Sequence, residues 1–184
     1  MAELGSDYLN ANYIAPSSFS QNGGIIQTVI LNDTTQRTQA IAINVITALT
    51  GLSAAIAPKR SSNSILIYAR WCGEGGTLWN SVFGLQRNGT NIGQPAAQSL
   101  QEAGITCPMD TYSANASDNS STPAQMNFWY RDSPGTTGTV TYQITFTTSV
   151  AGGITLATNR TITNSNTANF ELPMSALYLF EVSG

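Results

Sequence analysis

The chain has 184 residues, only 9% of them charged, a formal net charge of −3 and no histidine. That length fits one domain with a core of ordinary size, and the charge balance excludes the clustered Lys and Arg on which nucleic-acid binding depends. The missing histidine excludes Ser-His-Asp and Cys-His nucleophiles and every His-containing zinc site.

Residues 1–24, MAELGSDYLNANYIAPSSFSQNGG, hold no sustained period and end in an Asn-Gly-Gly break, which predicts an extended N-terminal arm. Leu4, Tyr8, Leu9, Tyr13, Ile14 and Phe19 make the arm adhesive, so they are the candidate assembly residues, packing on their own domain or on a neighbour. The segment has neither the basic start nor the apolar core of a signal peptide. No apolar run reaches the roughly 18 residues needed to cross a bilayer, so no membrane role is expected.

From residue 25 the pattern turns to strands. IIQTVIL (25–31) and AIAINVI (40–46) are rich in β-branched residues, with NDTTQRTQ between them as a polar connection. LSAAIAP (52–58) leads through KRSSNS to SILIYARW (64–71), where Ile65, Ile67, Ala69 and Trp71 alternate with Leu66, Tyr68 and Arg70. GEGG at 73–76 matches neither phosphate-binding glycine pattern and reads as a turn between two strands. TLWNSVFGLQR (77–87) places Trp79, Phe83 and Leu85 on one side, and RNGT supplies a hairpin signal. Residues 91–124 are the least regular, with a short helical turn in QPAAQSLQEAG and an exposed loop in YSANASDNSSTPA.

Met126, Phe128 and Tyr130 then face one way, Asn127, Trp129 and Arg131 the other, and DSPGTTG connects to the next strand. There Val140, Tyr142, Ile144 and Phe146 alternate with Thr139, Thr141, Gln143, Thr145 and Thr147, the clearest period of two in the chain. The threonine side is expected to meet water, because Thr favours exposed strand positions. GITLATNRTIT (153–163) and MSALYLFEV (174–182) complete the count. The last strand is apolar on both faces, with Leu177 and Leu179 opposite Met174, Ala176, Tyr178, Phe180 and Val182, which makes Leu177 and Leu179 the candidate subunit interface. Eight or so short strands with Gly, Pro and Asn turns predict an all-β chain in which residues 25–184 form an antiparallel β-sandwich of jelly-roll type behind the arm.

Sites of chemistry are scarce. Glu74, Glu102, Asp110, Asp118 and Asp132 all fall in predicted loops, and no spacing singles out the carboxylate pair that glycoside hydrolysis needs. No catalytic residue, metal ligand or cofactor site is assigned, and a non-enzymatic role is expected. Cys72 and Cys107 are expected to be free, buried thiols. Trp71, Trp79, Trp129 and Tyr130 are expected in the core, the other use for such residues being a sugar-stacking platform. Trp129 and Arg131 are the candidates for contact with a glycan.

Several segments follow one order: GGIIQTVIL, TALTGLSAAIAPKRSSNSILIYARW, the RNGTNIG hairpin, NFWYRDSPGTTGTVTYQITF and the terminal SALYLFEVSG. In that order the chain resembles small jelly-roll virion proteins and tail-fibre tip domains of marine and cyanobacterial bacteriophages, over residues 24–184. The resemblance implies a trimer on the particle surface, assembled in the host cytoplasm, with the major capsid protein and copies of itself as partners. The short arm, without a fibre shaft before it, favours a capsid decoration or cement protein. The alternative is a head-fibre or tail-fibre tip that recognises a host surface polysaccharide.

Overall fold

The computed structural model describes residues 23–96, 101–110, 122–166 and 170–184. The candidate arm residues Leu4, Tyr8, Leu9, Tyr13, Ile14 and Phe19 lie outside them, as does Asp118. Among the described residues the chain forms strands and no helix: β1 (Ile25–Asp33), β2 (Arg37–Ile41), β3 (Thr47–Ile56), β4 (Ser64–Gly75), β5 (Ser81–Arg87), β6 (Thr90–Ile92), β7 (Met109–Asp110), β8 (Ala124–Asp132), β9 (Val140–Thr148), β10 (Ile154–Thr158) and β11 (Ser175–Val182).

They build an antiparallel β-sandwich. The spine of the larger sheet is β4, whose apolar residues on alternate positions suit a strand packed on one face. Along one edge it pairs with β8, from Ile65 opposite Asp132 to Gly73 opposite Ala124. The other edge is shared, with β11 on Ser64–Arg70 and β10 on Gly73–Gly75. Outside these, β1 flanks β11, β2 flanks β10 and β7 flanks β8, while the smaller sheet runs β3-β9-β5-β6. Five pairs nest inside one another, β1 with β11, β2 with β10, β3 with β9, β4 with β8 and β5 with β6, as in one long folded ribbon. At the closed tip of that ribbon Asn88 and Gly89 both take positive φ, 50° and 80°. This is the two-residue turn whose twist matches its flanking strands.

The core lies between the sheets. Ile65, Ile67, Ala69 and Trp71 of β4, Leu177 and Leu179 of β11, and Met126 and Phe128 of β8 pack with Leu49, Leu52, Phe83, Leu85, Val140, Tyr142, Ile144 and Phe146. Trp71, Phe83 and Phe146 form an aromatic series with ring centroids 5.0 and 4.8 Å apart. The indole N–H of Trp71 donates to Thr158 Oγ1 at 3.0 Å, so burying this ring strands no polar atom. Each large apolar side chain buried in this way contributes about 1.5–3 kcal/mol.

Several sequence expectations need correction. The strand expected at 40–46 lies earlier, at Arg37–Ile41, because Asn44 at φ 59° and the bond from Val45 N–H to the Ala42 carbonyl turn the chain there. GEGG is no turn, since β4 runs on through Gly75. A Cβ on Gly73 would stand 1.9 Å from the Ala157 carbonyl oxygen, so glycine is needed there for the close approach of β10. The threonine side of β9 is wet only at one end: Thr139 and Thr141 are exposed, Thr145 and Thr147 buried. Leu177 and Leu179 are 0% exposed and belong to the domain's own core, so they have no surface to offer a second copy.

Candidate functional site

Among the described residues four buried carboxylates hold the sandwich together, which a count of acidic residues does not reveal. Glu74, expected in a loop, sits in β4; its Oε1 accepts from the Thr122 N–H and hydroxyl at 3.2 and 3.0 Å, and its Oε2 from the Ile162 N–H at 2.6 Å. Asp132, likewise expected in a loop, ends β8, where it takes both oxygens to Arg87 at 3.0 and 2.9 Å and accepts the Tyr142 hydroxyl at 2.6 Å. Burial first, and the bond to Asp132 second, push the Tyr142 phenol far above its ordinary range. Glu181 accepts from Gln27, the Lys59 N–H and Asn63, closing the end of the sandwich near both termini of the domain. Asp33 pairs with Arg37 and accepts the Asn159 amide at 2.6 Å. Burial works to raise the Asp33 pKa, but the bonds from Arg37 and Asn159 prevail and hold it below its usual value. Each of these groups is satisfied by a named partner, as buried charges must be.

Glu102 is half-buried, and the Asp110 side chain lies outside the described residues. Both cysteines are free, as expected, but only Cys72 is buried; Cys107 is exposed, which corrects the expectation of two buried thiols.

The four aromatics expected in the core are dispersed, which corrects that expectation for Trp79 and Trp129. Trp71 is in the core, Tyr130 packs against it from β8, Trp79 lies in the β4–β5 turn at 70% exposure, and Trp129 projects outward from β8 at 57%. Trp129 instead joins an aromatic face on the outside of the larger sheet. Strand register places Ile30, Tyr178, Tyr68 and Trp129 in one row, and Thr28, Phe180, Leu66 and Arg131 in the next. Trp129 lies 4.9 Å from Tyr68 and 6.1 Å from Phe180 by ring centroid, and Tyr68 lies 5.7 Å from Tyr178. The Tyr178 hydroxyl donates to Asn32 Oδ1 at 2.7 Å, fixing that ring. A third row, Asn32, Ala176, Arg70 and Asn127, completes a face with two arginines and no carboxylate. Arg131 therefore rims an apolar surface instead of lining a cleft. The sequence shows the outward parity of each residue but cannot show that strands so far apart bring them together.

A second feature is invisible in the sequence. Where β4 turns into β5, a groove of about 760 Å³ is lined by Thr77, Trp79, Asn80, Glu102, Cys107 and Ser149, among others. The turn that carries Trp79 is fastened to the end of β9 just after the ring. Asn80 takes φ 57° and its carbonyl accepts the Ser149 N–H at 2.9 Å, while the Ser81 hydroxyl donates to Thr148 Oγ1 at 2.9 Å. Leu78 packs so closely over Gly75 that a Cβ there would stand 2.5 Å from it. The expectation that Trp79 lies beside Phe83 and Leu85 in one strand fails, because the left-handed Asn80 breaks that strand and turns the ring into solvent.

Compared with known proteins, the chain matches no family model and no curated protein.

Proposed function

We propose that this chain is a structural, non-enzymatic bacteriophage protein, a jelly roll that decorates or cements the capsid and stabilises the shell through protein–protein contacts. The observation that carries this reading is the outer face of the larger sheet. It presents Ile30, Tyr68, Trp129, Tyr178 and Phe180 to solvent, with Ile30 at 60% exposure. Three inter-strand steps of about 4.8 Å and four residues of about 3.4 Å give these rows a face of roughly 200 Å². A stable interface buries about 800 Å² per partner. The face is thus the apolar centre of a larger contact, with Asn32, Arg70, Asn127 and Arg131 as its polar rim.

The nested strand pairs support the jelly-roll reading, and the ordered motifs support the virion reading. The partners proposed are the major capsid protein and two further copies of this chain in a trimer, with the adhesive arm as a second anchor. Deleting residues 1–22 spares the bonds that close the domain between Gly23, Gly24 and Ser183. The truncated chain should melt like the full one and fail to occupy particles; full occupancy without the arm would remove its anchoring role. Replacing Tyr68, Trp129 and Phe180 together by Ser is expected to turn a trimer into a folded monomer by light scattering. An unchanged mass would count against the aromatic face as the contact.

A further inference from the structure

We infer that the groove beside Trp79 is a binding site for a neutral or amino-bearing glycan, distinct from the aromatic face and independent of the shell contacts. Its lining is built from uncharged hydrogen-bonding groups, including Thr77, Asn80, Ser81 and Ser149, with Leu78 and Pro108 as apolar floor. The described residues that line it contain no Lys or Arg, and their single carboxylate is Glu102. That composition disfavours phosphate, nucleic acid and acidic sugars, which need cationic partners. It is also too polar for a lipid. A sugar instead needs dense neutral donors and acceptors and one flat apolar face, because a pyranose has hydroxyls around its edge and C–H groups on its faces.

Trp79 supplies the flat face. Tryptophan buries a large apolar area when it can, and a ring left 70% exposed on a turn hydrogen-bonded to the end of β9 is held ready for a partner. Holding the turn beforehand lowers the entropy lost on binding. The groove volume of about 760 Å³ also falls in the range of small-molecule sites.

Position adds a second argument. The N-terminal segment enters the domain at Gly23 and Gly24, which bond to Ser183 beside the start of β4, where Ser64 pairs with Val182. The groove lies at the other end of β4, past Gly75. Twelve strand residues separate the two ends, a span of about 40 Å at 3.3 Å per residue. Residue 23, where the chain enters the domain, and the groove therefore lie at opposite ends of β4.

The test uses the full chain on an array of neutral, amino and acidic oligosaccharides, with Cys107 as an internal reporter, since it is the exposed cysteine and lines the groove. Neutral or amino sugars should bind, and saturating amounts should slow alkylation of Cys107. Trp79→Ala should weaken binding by roughly tenfold or more, the scale of a lost aromatic contact, with its thermal melt unchanged. Leu172→Ala, at an exposed apolar residue outside both the groove and the aromatic face, should bind as the parent does. No retained glycan, retention of acidic sugars only, parental binding by Trp79→Ala, or an alkylation rate indifferent to sugar would each overturn the assignment. A free oligosaccharide that binds while intact host cells do not would place the source of the ligand in solution, with the site itself upheld.

Discussion

Asp132 serves two partners at once, and the cost of losing it follows from what each would face alone. Tyr142 is fully buried, so its hydroxyl would have no acceptor, whereas Arg87 is partly exposed and would regain water. Asp132→Ala should therefore destabilise by about 2–3 kcal/mol, the cost of leaving a buried hydroxyl without an acceptor. Tyr142→Phe leaves Asp132 with its arginine and should cost about 1–1.5 kcal/mol. Urea midpoints measure both, and the reverse ranking would refute this division of roles. The Asp33 carboxyl sets an acid limit. Its folded pKa lies below the unfolded value of about 3.9, so its contribution is fully present above that pH and is lost as pH falls toward the folded value. Asp33→Asn should accordingly lower stability at neutral pH and flatten the loss below about pH 4 in thermal melts. Apart from Asp33, whose arginine stands four residues on, these roles are not legible locally. Thr122 and Ile162, the partners of Glu74, lie 48 and 88 residues away along the chain, and the sequence shows an acid without its donors.

At the scale of the element, strands are readable wherever one face meets the core. In β9, Val140, Tyr142, Ile144 and Phe146 alternate with polar residues, and all four are buried as that period requires. Strand ends are not readable, because long-range pairing decides them. β2 is drawn forward by Arg37 on Asp33 and by the Gln39 amide, which bonds the Ala48 carbonyl and the Thr50 N–H at 3.0 Å each. β4 is prolonged by β10, against which Gly73 must lie bare. Gly73→Ala should cost about 1–3 kcal/mol by overpacking. Gly76→Ala, where nothing stands within 4 Å, should change stability by less than about 0.5 kcal/mol. Equal denaturation midpoints for the two variants would remove the close-approach explanation. The doubly apolar β11 misleads in a different way: both faces are apolar, but Leu177 and Leu179 serve the core while Tyr178 and Phe180 face outward. Alternation separates two faces without saying which one is inside.

The proposed reading draws on three parts of the whole molecule. At its terminal end Gly23 and Gly24 bond Ser183, where the chain enters the domain. The broad side of the larger sheet offers an aromatic surface with a cationic rim. The far end holds the Trp79 groove. On the proposed reading the side face meets the shell and further copies, and the far end stays free for a ligand. The sandwich is legible from strand count and turn residues, and the two surfaces are not, since each is assembled from strands that only the fold brings together. The most direct test of the decoration role is immunogold labelling of intact particles with an antibody to this chain, scored by position in electron micrographs. Label spread over the head is the expected result; label confined to the tail tip, or no label on the particle, would contradict it.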